Sequence, residues 1–158
     1  MALQLDDYRL LGRSGLRVSP LALGTMTFRV GGGSWGSSDE EARQLVDTYI
    51  DRGGNFIDTA DFYGGFGGSE ALLGELVKGR RDRMVISTKY SLTTEPGNPN
   101  AAGNHRKNMV RSVEDSLRRM QTDYIDLLYL HMWDFRTPVD EILRAFDDLV
   151  RAGKVLYI

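Results

Sequence analysis

Apolar residues along the 158-residue chain fall into two alternating kinds of run. Short dense runs, "LALGTM" (21–26), "NFIDTA" (55–60), "MVISTK" (84–89), "YIDLLYLH" (124–131) and "VLYI" (155–158), predict five β-strands. Between them apolar positions recur at helical spacing. Ala42, Leu45, Val46, Tyr49 and Ile50 form one stripe, opened by a capping box at Ser38–Glu41 and closed by Gly53. Leu72, Leu73, Leu76 and Val77 form a second, starting near Ser69 and stopping at Gly79. Met109, Val110, Val113, Leu117 and Met120 form a third. Ile142, Leu143, Phe146, Leu149 and Val150 form a fourth, with Thr137 as N-cap, Pro138 at the first helical position and Gly153 past the end. Ahead of these, "YRLLGRSGLRVSP" predicts a β-hairpin turning on Gly12 to Gly15.

Strand and helix alternate, so the strands should be parallel and covered by helices. Two architectures meet that description. A doubly wound sheet would carry a glycine fingerprint after its first strand, and Gly31, Gly33 and Gly36 do satisfy G-x-G-x-x-G. That fingerprint should begin where the strand ends, yet Thr27 to Val30 intervene. The helix that follows opens on Asp39, Glu40 and Glu41, three carboxylates that would repel a pyrophosphate. "GGGSWGSS" is therefore read as a flexible loop. The alternative is a (β/α)8 TIM barrel. Its strand starts would recur every ~30 residues when about 250 residues make eight units, and here they are separated by 34, 29, 40 and 31. The expectation is one domain over residues 1–158, comprising strands 1–5 and helices 1–4 of such a barrel behind an N-terminal β-hairpin cap. Because Ile158 falls inside a strand, a missing C-terminal half of the barrel is the expected partner.

A barrel gathers its chemistry at the carboxyl ends of several strands. Asp58 stands near the end of the second strand, with Tyr63 just beyond it. Lys89 ends the third strand, and His131 ends the fourth. Neighbouring strands lie roughly 5 Å apart, so Lys89 can pair with Asp58, a carboxylate that needs a cation if buried. A phenol is a poor acid at neutral pH until a cation sits beside it, as Lys89 would sit beside Tyr63. So assisted, it can protonate an oxygen that is gaining negative charge. His131 could hydrogen-bond that same oxygen. The set suits reduction of an aldehyde or ketone to the alcohol. No side chain supplies hydride, so a nicotinamide cofactor is required.

Composition narrows the surroundings. Twenty basic and twenty-two acidic side chains nearly cancel, which argues against a nucleic-acid or anionic-lipid surface. No apolar stretch is long enough to span a bilayer, and the start "MALQLDDYRL" is not a secretory signal. A soluble cytoplasmic protein is expected. With no cysteine and two histidines on remote segments, no metal site is expected.

"GTMTF", "GGNFIDTADFYG", "SEALLGELVKGRRDRMVISTKY", "RKNMVRSVEDSLRRMQTDYIDLLYLHMWD" and "ILRAFDDLVRAGKVLYI" together closely resemble the aldo-keto reductases, in particular the bacterial aryl-alcohol-dehydrogenase-like branch. The resemblance implies Tyr63 as general acid, Asp58 and Lys89 tuning it, and His131 orienting the carbonyl. It also implies that Gly24, Thr25, Met26 and Asp58 touch the cofactor, NADPH by family habit with NADH possible. Trp133 becomes a wall of the pocket for a small carbonyl substrate, or else ordinary core packing. A non-catalytic nucleotide-binding regulatory subunit of the same fold is the alternative, as is an inactive half-barrel fragment. Several other residues carry blander expectations. His105 reads as a solvated cationic helix start, Asp61 as a loop cap, and Arg80, Arg81 and Arg83 as a solvated turn. "GGFGG" (64–68) lacks the Lys-Ser/Thr that a phosphate cradle needs.

Overall fold

A computed structural model describes residues 2–30 and 35–158. Its five parallel strands are β3 (Leu23–Gly24), β4 (Phe56–Asp58), β5 (Val85–Tyr90), β6 (Ile125–Leu130) and β7 (Val155–Tyr157), and they lie side by side in chain order. Before them β1 (Arg9–Leu10) pairs antiparallel with β2 (Arg17–Val18), the predicted hairpin. Its turn at Leu11–Ser14 borders a groove that Leu127, Tyr129 and Tyr157 line from the sheet. The helices α1 (Asp39–Asp51), α3 (Gly68–Leu76), α4 (Arg106–Met120) and α5 (Val139–Arg151) fill the crossovers. Sequential strand order is that of a barrel, whereas a doubly wound sheet reverses direction part-way. Of the competing fingerprint, Gly31 and Gly33 lie outside the described residues. No helix among the described residues is long and apolar enough to cross a membrane.

Side chains alternate along a strand, and paired positions share a face. The register pairs Gly24 with Asp58, Asp58 with Ser87, Ser87 with Leu127, and Leu127 with Tyr157. These residues, with Lys89 and its partner Tyr129, therefore occupy one face. Ile57, Ile86, Tyr90 and Leu128 take the other, where they join the helices in a single apolar core. Helical spacing decides which residues reach it. From α5 these are Ile142, Ala145, Phe146 and Leu149, at i, i+3, i+4 and i+7. Leu143 and Val150, predicted in the stripe, fall outside that arc and are exposed, as is Leu45 of α1.

The helix starts refine the expectation from sequence. Ser38 and Glu41 form the predicted capping box. At α5 the cap is Pro138, whose carbonyl accepts from Glu141 and Ile142. Thr137 lies one residue before the cap, with its N–H and its hydroxyl both donated to Asp134, and no side-chain bond caps this helix. His105 caps α4, its Nδ1 accepting the Asn108 N–H, so the ring is engaged at the helix start rather than free in solvent. Arg81 is likewise no solvated residue. It pairs with the buried Asp126 at 2.7 Å, donates to the Met84 and Tyr124 carbonyls, and stacks on the Tyr124 ring.

One ion pair crosses the helical layer. Glu70 of α3 is completely buried. Arg119 of α4 meets its Oε2 at 2.6 Å, and the Thr88 hydroxyl of β5 donates to Oε1 at 2.6 Å. Removing one partner of a buried pair leaves an uncompensated charge, which typically costs about 3–5 kcal/mol. Arg119→Leu alone should lower unfolding stability by about that amount in urea titrations, and adding Glu70→Leu should restore most of it.

Candidate active site

The shared face of the sheet brings the site together. Asp58, at the end of β4, has both carboxylate oxygens engaged. Lys89 Nζ donates to Oδ2 at 2.6 Å, and the Ser87 hydroxyl donates to Oδ1 at 2.7 Å. Ser87 sits opposite Asp58 and Lys89 lies two residues further along β5, so one strand supplies both partners. The pair is largely shielded, with 15% of the Lys89 side chain and 28% of the Asp58 side chain exposed. An ammonium group has three donors. Lys89 gives the others to the Thr59 carbonyl at 2.7 Å and the Tyr63 hydroxyl at 3.4 Å.

Tyr63 reaches this place because the backbone continues the ladder past β4. Thr59 N–H bonds to the Ser87 carbonyl and Asp61 N–H to the Lys89 carbonyl. The chain then turns into α2 (Tyr63–Phe66), a single turn that the sequence pattern missed. Its geometry rests on Gly64, at φ +66°. A Cβ there would stand 2.5 Å from Ser69 N and 2.8 Å from the Phe28 carbonyl oxygen, so no larger residue fits. "GGFGG" is thus a left-handed turn that aims Tyr63. His131 completes the group. Its N–H bonds to the Tyr90 carbonyl, and its ring meets that of Tyr63 edge-on at 5.8 Å between centroids.

Electrostatics assign roles. Burial, and then the Lys89 ammonium, lower the His131 pKa against the pull of Asp58. The imidazole is therefore neutral at neutral pH, with one N–H to donate. Lys89 donates towards the phenol oxygen of Tyr63, which leaves the phenol's own hydrogen for another acceptor. The arrangement can hold one proton on Tyr63 and present two donors to a single oxygen.

The other residues singled out in the sequence fall in three places. Gly24 and Met26 are exposed at the end of β3. Gly24 shares the Asp58 face, and a Cβ on it would meet nothing within 4 Å. Among the described residues, open space therefore lies over that strand end. Thr25 is completely buried, and its hydroxyl donates to the Asp58 carbonyl. It braces Asp58 and has no surface to offer a ligand. Trp133 is 40% exposed on the loop after His131, so it is not core packing. Ser87 was missed, although its position two residues before Lys89 puts it on the same face.

The Aldo/keto reductase family model matches residues 20–158. The chain belongs to this family. It is 49% identical to the norsolorinic acid reductase of Emericella nidulans, over 92% of this chain and 40% of that protein. It is 41% identical to the aryl-alcohol dehydrogenase [NADP(+)] of Phanerodontia chrysosporium, over 91% and 40% respectively. Among solved structures, the aldo-keto reductase AKR11C1 from Bacillus halodurans in its holo form superposes with a TM-score of 0.82 at 36% identity. That match covers 95% of this chain and 48% of the other. The chain thus spans less than half the length of these relatives, and its sheet is the first half of a (β/α)8 barrel.

Within this aldo/keto reductase chain Asp61 is no loop cap. It is fully buried, and neither carboxylate oxygen has a hydrogen-bond partner among the described residues. Burial, followed by the nearby Glu70 carboxylate, pushes its pKa up to about 7 despite Arg119. An acid whose folded pKa is raised contributes its full stability below the unfolded value near ~3.9, and that contribution is lost as pH rises through the folded pKa. Asp61→Asn mimics the protonated form. It should match the parent at pH 4 and exceed it by a few kcal/mol at pH 8, measured by urea unfolding at both pH values.

Proposed function

We propose that a protein carrying this chain reduces aldehydes or ketones to alcohols with NADPH, NADH being the other cofactor of the same class. One observation carries the reading: Lys89 Nζ bridges the Asp58 carboxylate and the Tyr63 hydroxyl, with a neutral His131 ring against Tyr63. In this reading a bound reduced nicotinamide supplies the hydride. Gly24 and Met26 would border it from the end of β3, beside Asp58. The carbonyl oxygen sits between Tyr63 and His131. His131 donates its N–H to that oxygen and orients it. As negative charge grows there, Tyr63 gives up its proton along the developing O–H bond. Lys89 stabilises the phenolate that remains, and Asp58 keeps Lys89 in place. Trp133 contributes an apolar wall for the substrate. Two relatives, norsolorinic acid reductase and aryl-alcohol dehydrogenase [NADP(+)], support by their names both the carbonyl chemistry and the cofactor.

The test uses a protein of full family length that carries these 158 residues. Tyr63→Phe should lower kcat for aldehyde reduction by about 10²–10⁴-fold, the usual loss for a general acid, with cofactor affinity unchanged. Unchanged turnover would remove Tyr63 from the mechanism. A second outcome follows from the lowered His131 pKa. The acid limb of kcat/KM should fall below the ordinary histidine value of about 6.5, because His131 gains its proton only at more acidic pH. A limb above that value in pH–rate profiles would contradict a neutral, half-buried His131.

A further inference from the structure

Long loops leave the carboxyl ends of β5 and β6, and a second polar group, separate from Asp58 and Lys89, ties them together. Asn104 lies in the first loop yet is completely buried. Its Oδ1 accepts the Asp134 N–H at 2.7 Å, and its Nδ2 donates to the Met132 carbonyl at 2.8 Å. Only one orientation of the amide satisfies both bonds. In return Asp134 Oδ2 accepts the Asn104 N–H at 2.8 Å and the Thr137 hydroxyl at 2.7 Å. Its Oδ1 takes the N–H groups of Arg136 and Thr137. Burial opposes the charge on this carboxylate, but the four donors prevail and hold its pKa well below the usual carboxylate range.

Around Asp134 the chain carries Met132, Trp133 and Phe135, apolar side chains that are exposed. Exposed side chains give a loop little restraint, so its course is fixed by the bonds from Asn104 and Asp134, together with the Met132 N–H given to the buried Ser91 hydroxyl at 2.9 Å. His131 differs, because the sheet itself holds its backbone through the Tyr90 carbonyl.

We propose that the reciprocal Asn104–Asp134 pair is a positioning device, which sets the loop bearing Trp133 and so governs how tightly the substrate is gripped, apart from proton transfer. The proposal rests on the carbonyl-reductase reading above for the word substrate. The positioning itself can be tested without it.

These 158 residues hold two tryptophans, Trp35 and Trp133; in a protein of full family length, replacing every tryptophan but Trp133 with Phe leaves Trp133 as the sole reporter. In that background Asn104→Ala should increase acrylamide quenching of Trp133 while far-UV circular dichroism is retained. In the full-length protein the same substitution removes two hydrogen bonds. It should raise KM for a bulky aromatic aldehyde by about tenfold, the loss of one to two net hydrogen bonds, with kcat nearly constant and cofactor affinity unmoved. If Asn104→Ala does not fold, Asp134→Asn preserves volume, weakens the same contacts and should move both readouts in the same direction. Unchanged quenching overturns the proposal, as does raised quenching with KM unmoved or a loss carried by kcat alone. Quenching is read whether or not any aldehyde is reduced, so failure of the positioning claim and failure of the reductase reading are told apart.

Discussion

The contact between Lys89 and Asp58 is the constraint on which the site depends. It exists because two parallel strands adjacent in sequence are adjacent in space, with Asp58 paired in register to Ser87. Lys89 lies two residues on and so points to the same face. A shift of one residue in that register would send Lys89 into the apolar core among Ile57, Ile86 and Leu128. There its ammonium would be out of reach of Asp58, and the phenol of Tyr63 would have no cation.

The surrounding structure protects this contact from two sides. Beneath it, Ser87 occupies the second carboxylate oxygen of Asp58, leaving that group little freedom to rotate, and Thr25 holds the Asp58 backbone carbonyl. Beyond it, the left-handed turn at Gly64 brings Tyr63 back over the end of β5, and Ser69 pins that turn to the Thr25 carbonyl at 2.5 Å. The Glu70–Arg119 pair then ties the next helix to α4. Such polar contacts behind a sheet add little net stability. They do hold a small number of side chains in one geometry, which a proton donor requires.

The parts of this arrangement legible in the sequence were those with a period. Strands, helices and their order follow from apolar spacing, and the rim of Asp58, Lys89 and His131 follows from the ends of those strands. Tyr63 was legible as a neighbour of Asp58, but the turn that aims it was not, because left-handed glycines carry no periodicity. Arg81 and Thr137 were misread for a related reason. Their partners are set by tertiary contacts: Arg81 reaches Tyr124, 43 residues away, and Thr137 is claimed by Asp134. Local composition around "GRRDR" suggests a solvated turn, and only the fold reveals Asp126 behind it. Asp61 is the sharpest case. A carboxylate in a polar stretch reads as a cap, yet strand alternation already assigned it the face opposite to Asp58.

The central claim is that Asp58 and Lys89 act as one unit on Tyr63, and a double-mutant cycle on reduction rate tests it most directly. Asp58→Asn, Lys89→Met and the double variant would be compared in a protein of full family length, with cofactor affinity measured for each. If the two residues act together, the double variant should be no slower than Lys89→Met alone, since groups working as a unit are strongly non-additive. Losses that multiply, each substitution acting in full upon the other, would contradict the account and make the 2.6 Å contact incidental to the chemistry.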